Sequence, residues 1–465
     1  MDKPNIVFFF TDQQRWDTCG CYGQPLPVTP NLDQMAGEGV IFKNAFTCQP
    51  VCGPARSCLQ TGKYATETGC FRNDIGLPLG EKTIAHYLSE QGYKVGYVGK
   101  WHLASNHSDC SGKDRPDNII CSDFKTKPVP VTHRGGWNDE WIASDVLEFT
   151  SHAYDGHMFD QNNQVKAFPP GRYRADAQTD WALEILERWG RQEQPFMLFL
   201  SYIEPHHQND HHCYEGPRGS KEKFKNFIPP GDLTGAAGDW QESYPDYLGC
   251  IHSLDDNLGR IRQKLNRLGI ADRTVIVFAS DHGSHFRTRN RGLQGAHYDD
   301  YKRSCHEGCI RIPLVIRGPG FEGGKTIQEL VSLIDLPPTI LACAGISRPQ
   351  AMRGRPLRAL VAGTATDWPA EVFLQISESW VARAIRTERW KYCVYAPEKD
   401  AWNESSSDSY VDQYLYDLAN DPYEQHNLVG NLDYQPIRDE LAEALQRRMA
   451  EAGEDIPELI SVMKG

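Results

Sequence analysis

The run Asn5-Ile6-Val7-Phe8-Phe9-Phe10, followed at once by Thr11-Asp12-Gln13, decides how the chain is read. A short apolar run bounded by polar residues reads as a strand, Asn5–Phe10, rather than a helix. It is too short for the core of a signal peptide and has neither the basic flank nor the cleavage site of one. Immediately after it stand a carboxylate and an amide.

The same pattern returns along the chain. Val40–Phe46, Lys94–Val98, Phe196–Tyr202, Thr274–Ala279 and Ile312–Ile316 read as strands. Thr83–Gln91, Ala177–Gly190 and Tyr247–Leu268 read as helices. In the last, Ile251, Leu254, Leu258, Ile261, Leu265 and Leu268 form a helical stripe. Strands separated by helices predict an α/β fold, a large mainly parallel sheet sandwiched by helices. From about Pro369 the pattern changes. Val381–Ile385, Lys391–Tyr395 and Gln413–Asp417 look like an antiparallel meander, and Ile437–Ala452 is an amphipathic helix. The expected division is a catalytic domain, 1–368, and a smaller C-terminal α+β subdomain, 369–465, as a chain of 465 residues allows. Two long loop-rich stretches, Ser105–Asn138 and His206–Gly238, read as lids or substrate walls.

Composition narrows the classes. The chain is 40% hydrophobic and 24% charged with a formal net charge of -13, which speaks against a nucleic-acid partner. No apolar run reaches the roughly 18 residues of a membrane span, so no membrane partner is expected. As written the chain reads as cytoplasmic, or as periplasmic or secreted if a signal has been removed. Its 14 cysteines show no paired CxxC spacing of a structural zinc site. Most read as reduced core thiols. Cys110 and Cys121 are the pair to link if the protein is exported.

In an open parallel sheet, ligands bind beyond the carboxyl ends of the strands. Four strands each deliver reactive groups there: Asp12 and Gln13, then Lys100, Trp101 and His102, then Pro205 and His206, then Asp281, His282 and Gly283. Asp12, Gln13, Asp281 and His282 offer three oxygens and a nitrogen, a set suited to calcium or magnesium, with the histidine leaving manganese or zinc open. The plainer alternative is a helix cap at Asp12 and a turn at 281–283.

Cys52-Gly53-Pro54-Ala55-Arg56 comes next. Pro54 fits the first turn of a helix, which puts Cys52 at a helix N-terminus, where the dipole favours an anion. Arg56 lies one turn on along the same face, and its fork of donors suits a tetrahedral oxyanion. A buried cysteine beside a helix start is the plainer reading.

Cys52-x-Pro54-x-Arg56 with Thr61-Gly62 resembles the signature of the type I sulfatases, within the alkaline-phosphatase-like superfamily. Gly99-Lys100-Trp101-His102, Pro205-His206, Ser280-Asp281-His282-Gly283 and Lys302 with Glu307-Gly308 are similar to segments of that family in the same order. So are Gly354-Arg355-Pro356-Leu357 and Leu415-Tyr416-Asp417. The resemblance implies that a maturation enzyme oxidises Cys52 to formylglycine. It implies that Asp12, Gln13, Asp281, His282 and the modified Cys52 hold one divalent metal, calcium first, with magnesium or manganese as alternatives. Arg56 and Lys100 would stabilise the hydrated aldehyde and His102 would hydrogen-bond to it. His206 and Lys302 would contact the sulfate and the leaving oxygen, and Asn73 would contact sulfate. The implied enzyme is a hydrolase of sulfate esters, acting on a sulfated saccharide or small molecule.

Many members carry Asp in place of Gln13 and Asn in place of His282. Sulfatases with Gln and His at these positions exist. So do related phosphonate monoester and phosphodiester hydrolases, and these form the alternative function. A two-zinc phosphatase and a non-catalytic sugar-binding protein are the further rivals. His206 sits with His207, His211 and His212, a cluster that invites a second metal; the favoured reading makes His206 catalytic and leaves the rest at the entrance or in solvent. Trp101, Trp137 and Trp141 read either as a stacking surface for sugar or as core. Arg287, Arg289 and Arg291 read either as a second-anion contact or as a solvated loop.

Overall fold

The computed structural model describes residues 3–105, 123–289 and 301–462. The opening apolar run is strand β1, Asn5–Thr11, and every residue of it is buried. A strand covered on both faces reads as an unbroken apolar run because it lies at the centre of a parallel sheet. Strand β1 has β5 (Phe196–Ser201) on one side and β6 (Thr274–Ser280) on the other, both parallel to it.

The sheet extends outward from this triplet. On one side β5 pairs with β3 (Lys94–Lys100), and β3 with β4 (Glu140–Ser144), all parallel. On the other, β6 pairs antiparallel with β7 (Leu314–Arg317), and β7 with β2 (Val40–Phe46). Strand β8 (Lys325–Ser332) closes that flank parallel to β2. The strand expected over Ile312–Ile316 is divided at Pro313 into two short pieces, both paired with β2. Proline has no N–H to give a ladder.

Helices cover both faces. Helix α1 is Cys52–Thr61 and is buried along its whole length. Helix α2 is Arg174–Trp189 and helix α3 is Trp240–Arg267. The apolar stripe on α3 packs into the core with β1 and α2, as its period requires. Helix α3 begins seven residues before the expected start at Tyr247 and runs through Pro245. Pro245 sits just past the first turn, so it forfeits a single backbone hydrogen bond.

The C-terminal sheet holds four antiparallel strands, β9 (Glu371–Ile376), β10 (Val381–Thr387), β11 (Trp390–Ala396) and β12 (Ser409–Asp417), with β13 (Glu458–Ile460) parallel to β12. The sequence reading found β10, β11 and β12 but missed β9 and β13. Helix α4, Gln435–Glu451, packs on β9, β10 and β11. This sheet shares the core of the larger one: Phe373 of β9 stands edge-on to Tyr64 at 5.3 Å.

The twelve described cysteines are all unpaired and most are buried. Cys110 and Cys121 lie outside the described residues. No helix among the described residues is long and apolar enough to cross a membrane.

Candidate active site

The parallel strands set the site. Asp12 leaves the end of β1, Lys100 ends β3, His206 follows β5, and Asp281 and His282 leave the end of β6. Since β1, β3, β5 and β6 run in one direction, these groups converge on one edge. Helix α1 starts at the same place. Cys52 is its first residue, and Gly53 N–H is capped from outside the helix by Asn73 Oδ1 at 2.9 Å.

Around the Cys52 sulfur the contacts are short. The thiol donates to Asp12 Oδ1 at 3.3 Å, faces His282 Nε2 at 3.3 Å and accepts from Lys302 Nζ at 3.0 Å. Asp12 Oδ2 takes Lys100 Nζ at 2.8 Å and the Arg56 guanidinium at 2.9 Å. Arg56 also reaches Asp281 at 3.4 Å, Ser201 Oγ and the Lys100 carbonyl. His206 Nε2 lies 3.0 Å from Lys302 Nζ.

Burial makes each of these charges costly and each partner decisive. Burial disfavours the Asp12 carboxylate, yet the charges of Lys100, Arg56 and Lys302 outweigh it and hold Asp12 well below the usual range. Burial and the neighbouring Asp12 push Asp281 up. Burial and Asp12 push the Cys52 thiol up to about 11, so as a plain cysteine it stays protonated and is a weak nucleophile. Burial, then Lys100 and Arg56, hold His102 well below its ordinary value, and burial with Lys302 does the same to His206. Both imidazoles are therefore neutral at pH 7.

The donor set fits a divalent cation. Asp12, Cys52, Asp281 and His282 each offer a ligating atom, all buried and all within 4.8 Å of one another. His282 donates its Nδ1 proton to the Gly283 carbonyl at 2.9 Å, which leaves the Nε2 lone pair facing the cluster. Gln13, at φ 70°, directs its amide nitrogen to Tyr214 and Ser284, so the amide oxygen is its remaining ligating group.

A narrow cleft of about 70 Å³ opens over Cys52. Gln13, Asn73, Lys100, His102, His206 and Lys302 line it, so the structure brings every predicted site residue to the cleft or to the buried layer beneath it. Sequence reasoning missed Glu148, Asn209, Tyr301 and Arg303 in the same wall. It also missed Asp145, which accepts N–H groups of Leu103, Ala104 and Ser105 and so fixes the turn carrying His102. Asp145 follows β4, and listing that strand would have exposed it by the same strand-end argument. The tryptophans are core. Trp101, Trp137 and Trp141 are fully buried around Tyr97, so none presents a face to a sugar. Arg289 is committed to the Tyr423 and Glu424 carbonyls, and Arg291 lies outside the described residues.

Comparison with known families settles the class. The sulfatase family model matches residues 4–346, well over half of the chain. This chain belongs to the sulfatase family. A second model, the C-terminal region of N-sulphoglucosamine sulphohydrolase, matches residues 295–451. An ulvan-active sulfatase of Formosa agariphila is 28% identical, over 97% of this chain and 82% of its own. An N-acetylglucosamine-6-O-sulfatase of Bacteroides thetaiotaomicron is 26% identical, over 98% and 88%. A Bacteroides fragilis structure described as a sulfatase superposes with TM-score 0.79 at 24% identity, covering 98% of this chain and 97% of that one. The phosphonate monoester hydrolase of Agrobacterium radiobacter shares the fold at TM-score 0.67 and 22% identity, over 97% and 96%. The sulfatase is thus a type I member of the alkaline-phosphatase-like superfamily and a sulfuric ester hydrolase.

Proposed function

We propose that this sulfatase removes O-sulfate groups from a carbohydrate, with residue 52 in its formylglycine form as nucleophile and calcium as the metal. The observation that carries the reading is the position of Cys52: first residue of α1, within 3.3 Å of Asp12 and His282 and 3.0 Å from Lys302. Relatives named for ulvan and N-acetylglucosamine-6-O-sulfate support a saccharide substrate. Residues 1–368 form the catalytic domain in this reading and 369–465 the C-terminal subdomain.

Oxidation of the thiol to an aldehyde gives a hydrate with two hydroxyls on one carbon, one to attack sulfur and one to expel sulfate afterwards. Asp12, Gln13, Asp281 and His282 would hold the metal, which supplies Lewis-acid polarisation of the nucleophilic oxygen and of the sulfate. The remaining work belongs to the side chains.

Arg56 and Lys100, fixed on Asp12, place two positive charges under residue 52 before substrate arrives. Lys302 is the proton source for the leaving oxygen. His206 gives its Nδ1 proton to the His207 carbonyl at 2.6 Å, so its Nε2 is an acceptor and aims a Lys302 proton. His102 is the base that takes the proton of the second hydroxyl. It is neutral, and its buried Nδ1 has no partner among the described residues. Asn73 contacts sulfate from beside Gly53.

The shared fold of the phosphonate monoester hydrolase keeps that reaction as the second reading. Comparing kcat/KM for defined 6-O-sulfated amino sugars and for an aryl phosphonate monoester tests the choice. A higher value on the sulfated sugars supports the proposal; a higher value on the phosphonate overturns it.

A further inference from the structure

Glu148 is the one carboxylate among the described residues that line the cleft over Cys52. The wall around it is otherwise cationic or neutral, with Lys100, Lys302 and Arg303 as its charged donors. A sulfate group is bound by such donors and gains nothing from an ionised carboxylate, which can only accept. Glu148 therefore faces a part of the substrate other than its sulfate.

The carboxylate is held in place with one oxygen left over. Oε1 accepts Asn209 Nδ2 at 3.1 Å, and Oδ1 of the same amide faces His207 Nδ1 at 3.1 Å. His207 is stacked on the Tyr301 ring, 4.3 Å away and 30° from parallel. Gln208 Nε2 holds the Glu148 backbone carbonyl at 3.1 Å. Oε2 lies 3.4 Å from His206 Nδ1, whose proton goes to the closer His207 carbonyl at 2.6 Å. Oε2 thus keeps its lone pairs, and the side chain is still 13% exposed. His206 adjoins Lys302, the proton source for the leaving oxygen, so Oε2 stands on the side of the leaving alcohol.

We propose that Glu148 is a specificity-determining residue: its Oε2 accepts the substrate hydroxyl nearest the sulfate ester and repels a second anionic group at that position. On the saccharide reading proposed above, on which this rests, the sulfated ring carries a free hydroxyl there and no second sulfate. In a 6-O-sulfated amino sugar that hydroxyl is the one at C4. A carboxylate fixed before substrate arrives makes the bond without the entropy of ordering a side chain. The like-charge contact is the rejecting element that specificity often needs beside the attractive one. The histidine-rich loop after β5 then has two tasks. His206 serves the leaving oxygen, and His207, through Asn209, sets Glu148.

The test compares kcat/KM of the matured enzyme on three sugars: N-acetylglucosamine 6-O-sulfate, its 4-deoxy analogue and its 4,6-di-O-sulfate, the last scored for loss of the 6-sulfate. Wild type should prefer the parent over each of the others by about 10–100-fold, the worth of a hydrogen bond to a charged group. Glu148→Ala should erase the preference over the deoxy sugar. Glu148→Gln, which keeps the shape and loses the charge, should erase the preference over the disulfate. Circular dichroism and the melting midpoint establish that each variant is folded. A Glu148 that only supported His206 would, when replaced, slow all three sugars alike and leave the ratios standing. That result, or a wild type indifferent to the C4 substituent, would overturn the proposal while turnover of the parent keeps the sulfatase reading intact. No turnover of the parent sugar would overturn both.

Discussion

Lys302 and His206 form a directed pair: the lysine ammonium donates to the imidazole Nε2 at 3.0 Å, because the Nδ1 of His206 is spent on the His207 carbonyl. Burial opposes the Lys302 charge, but the ionised Asp12 carboxylate beside it raises its pKa, so the proton is present at pH 7. A proton donor to a leaving oxygen matters most when that oxygen is basic. Lys302→Ala should lower kcat on an alkyl sulfate by roughly 10²–10⁴-fold. On an aryl sulfate with an acidic phenol the loss should be much smaller. Equal losses on both substrates would remove Lys302 from the acid role.

Glu378 connects the C-terminal sheet to the cleft. Its buried carboxylate accepts the Asn73 N–H at 2.6 Å and pairs with Arg303, while Asn73 caps the N-terminus of α1. Glu378→Ala unties two cleft walls at once. The expected effect is a fall in kcat/KM of about 10–100-fold, the worth of a charge-assisted hydrogen bond, carried mainly by KM. Steady-state kinetics at fixed pH separates the two parameters. A fall confined to kcat would show that Glu378 acts on the chemistry rather than on substrate position.

The sequence showed the parallel sheet and the convergence of reactive residues plainly, since strand ends in such a sheet share one edge and apolar runs mark the strands. The family resemblance then supplied roles that spacing alone left open at Cys52 and Asp12. Glu378 and Glu148 were invisible for physical reasons. Each acts through a backbone or side-chain partner far away in the chain: Glu378 is 305 residues from Asn73. The tryptophans stayed undecided because an indole has the same sequence signature in a core as on a sugar platform. Only the packing of Trp101 and Trp141 about Tyr97 distinguishes the two.

Lys391 lies buried between Glu307 and Glu424, at 2.8 and 2.6 Å. Burial opposes ionisation of Glu307, but Lys391 and Arg386 win and hold it below the usual carboxylate range. A depressed carboxylate contributes stability that is present above its unfolded pKa and is lost as pH falls through the folded one. Lys391→Met leaves two buried carboxylates without their ammonium. It should cost about 3–5 kcal/mol at pH 7. The deficit should shrink as the pH drops below the ordinary glutamate range, where the variant's carboxylates take up protons. Urea unfolding at several pH values reads this; a pH-independent deficit would contradict it.

The proposed metal cluster places Asp12 and Asp281 side by side, with Asp281 pushed up by burial and by Asp12. A divalent ion relieves that repulsion, so chelation should abolish hydrolysis and lower the melting midpoint. Calcium should restore both, by about 2.7 kcal/mol when its concentration is a hundredfold above Kd. Asp281→Asn should remove activity and make the midpoint insensitive to calcium. A midpoint that still rises with calcium in that variant would place the ion elsewhere.

The central claim is that residue 52 works as an aldehyde and not as a thiol. Peptide mass spectrometry of the 52-containing segment, taken from protein whose turnover has been measured, reads it directly. The account predicts that activity rises in proportion to the fraction of chains in which the Cys52 sulfur has been replaced by a carbonyl oxygen, and that Cys52→Ala is inert. Full turnover from protein whose Cys52 is an intact thiol would contradict it.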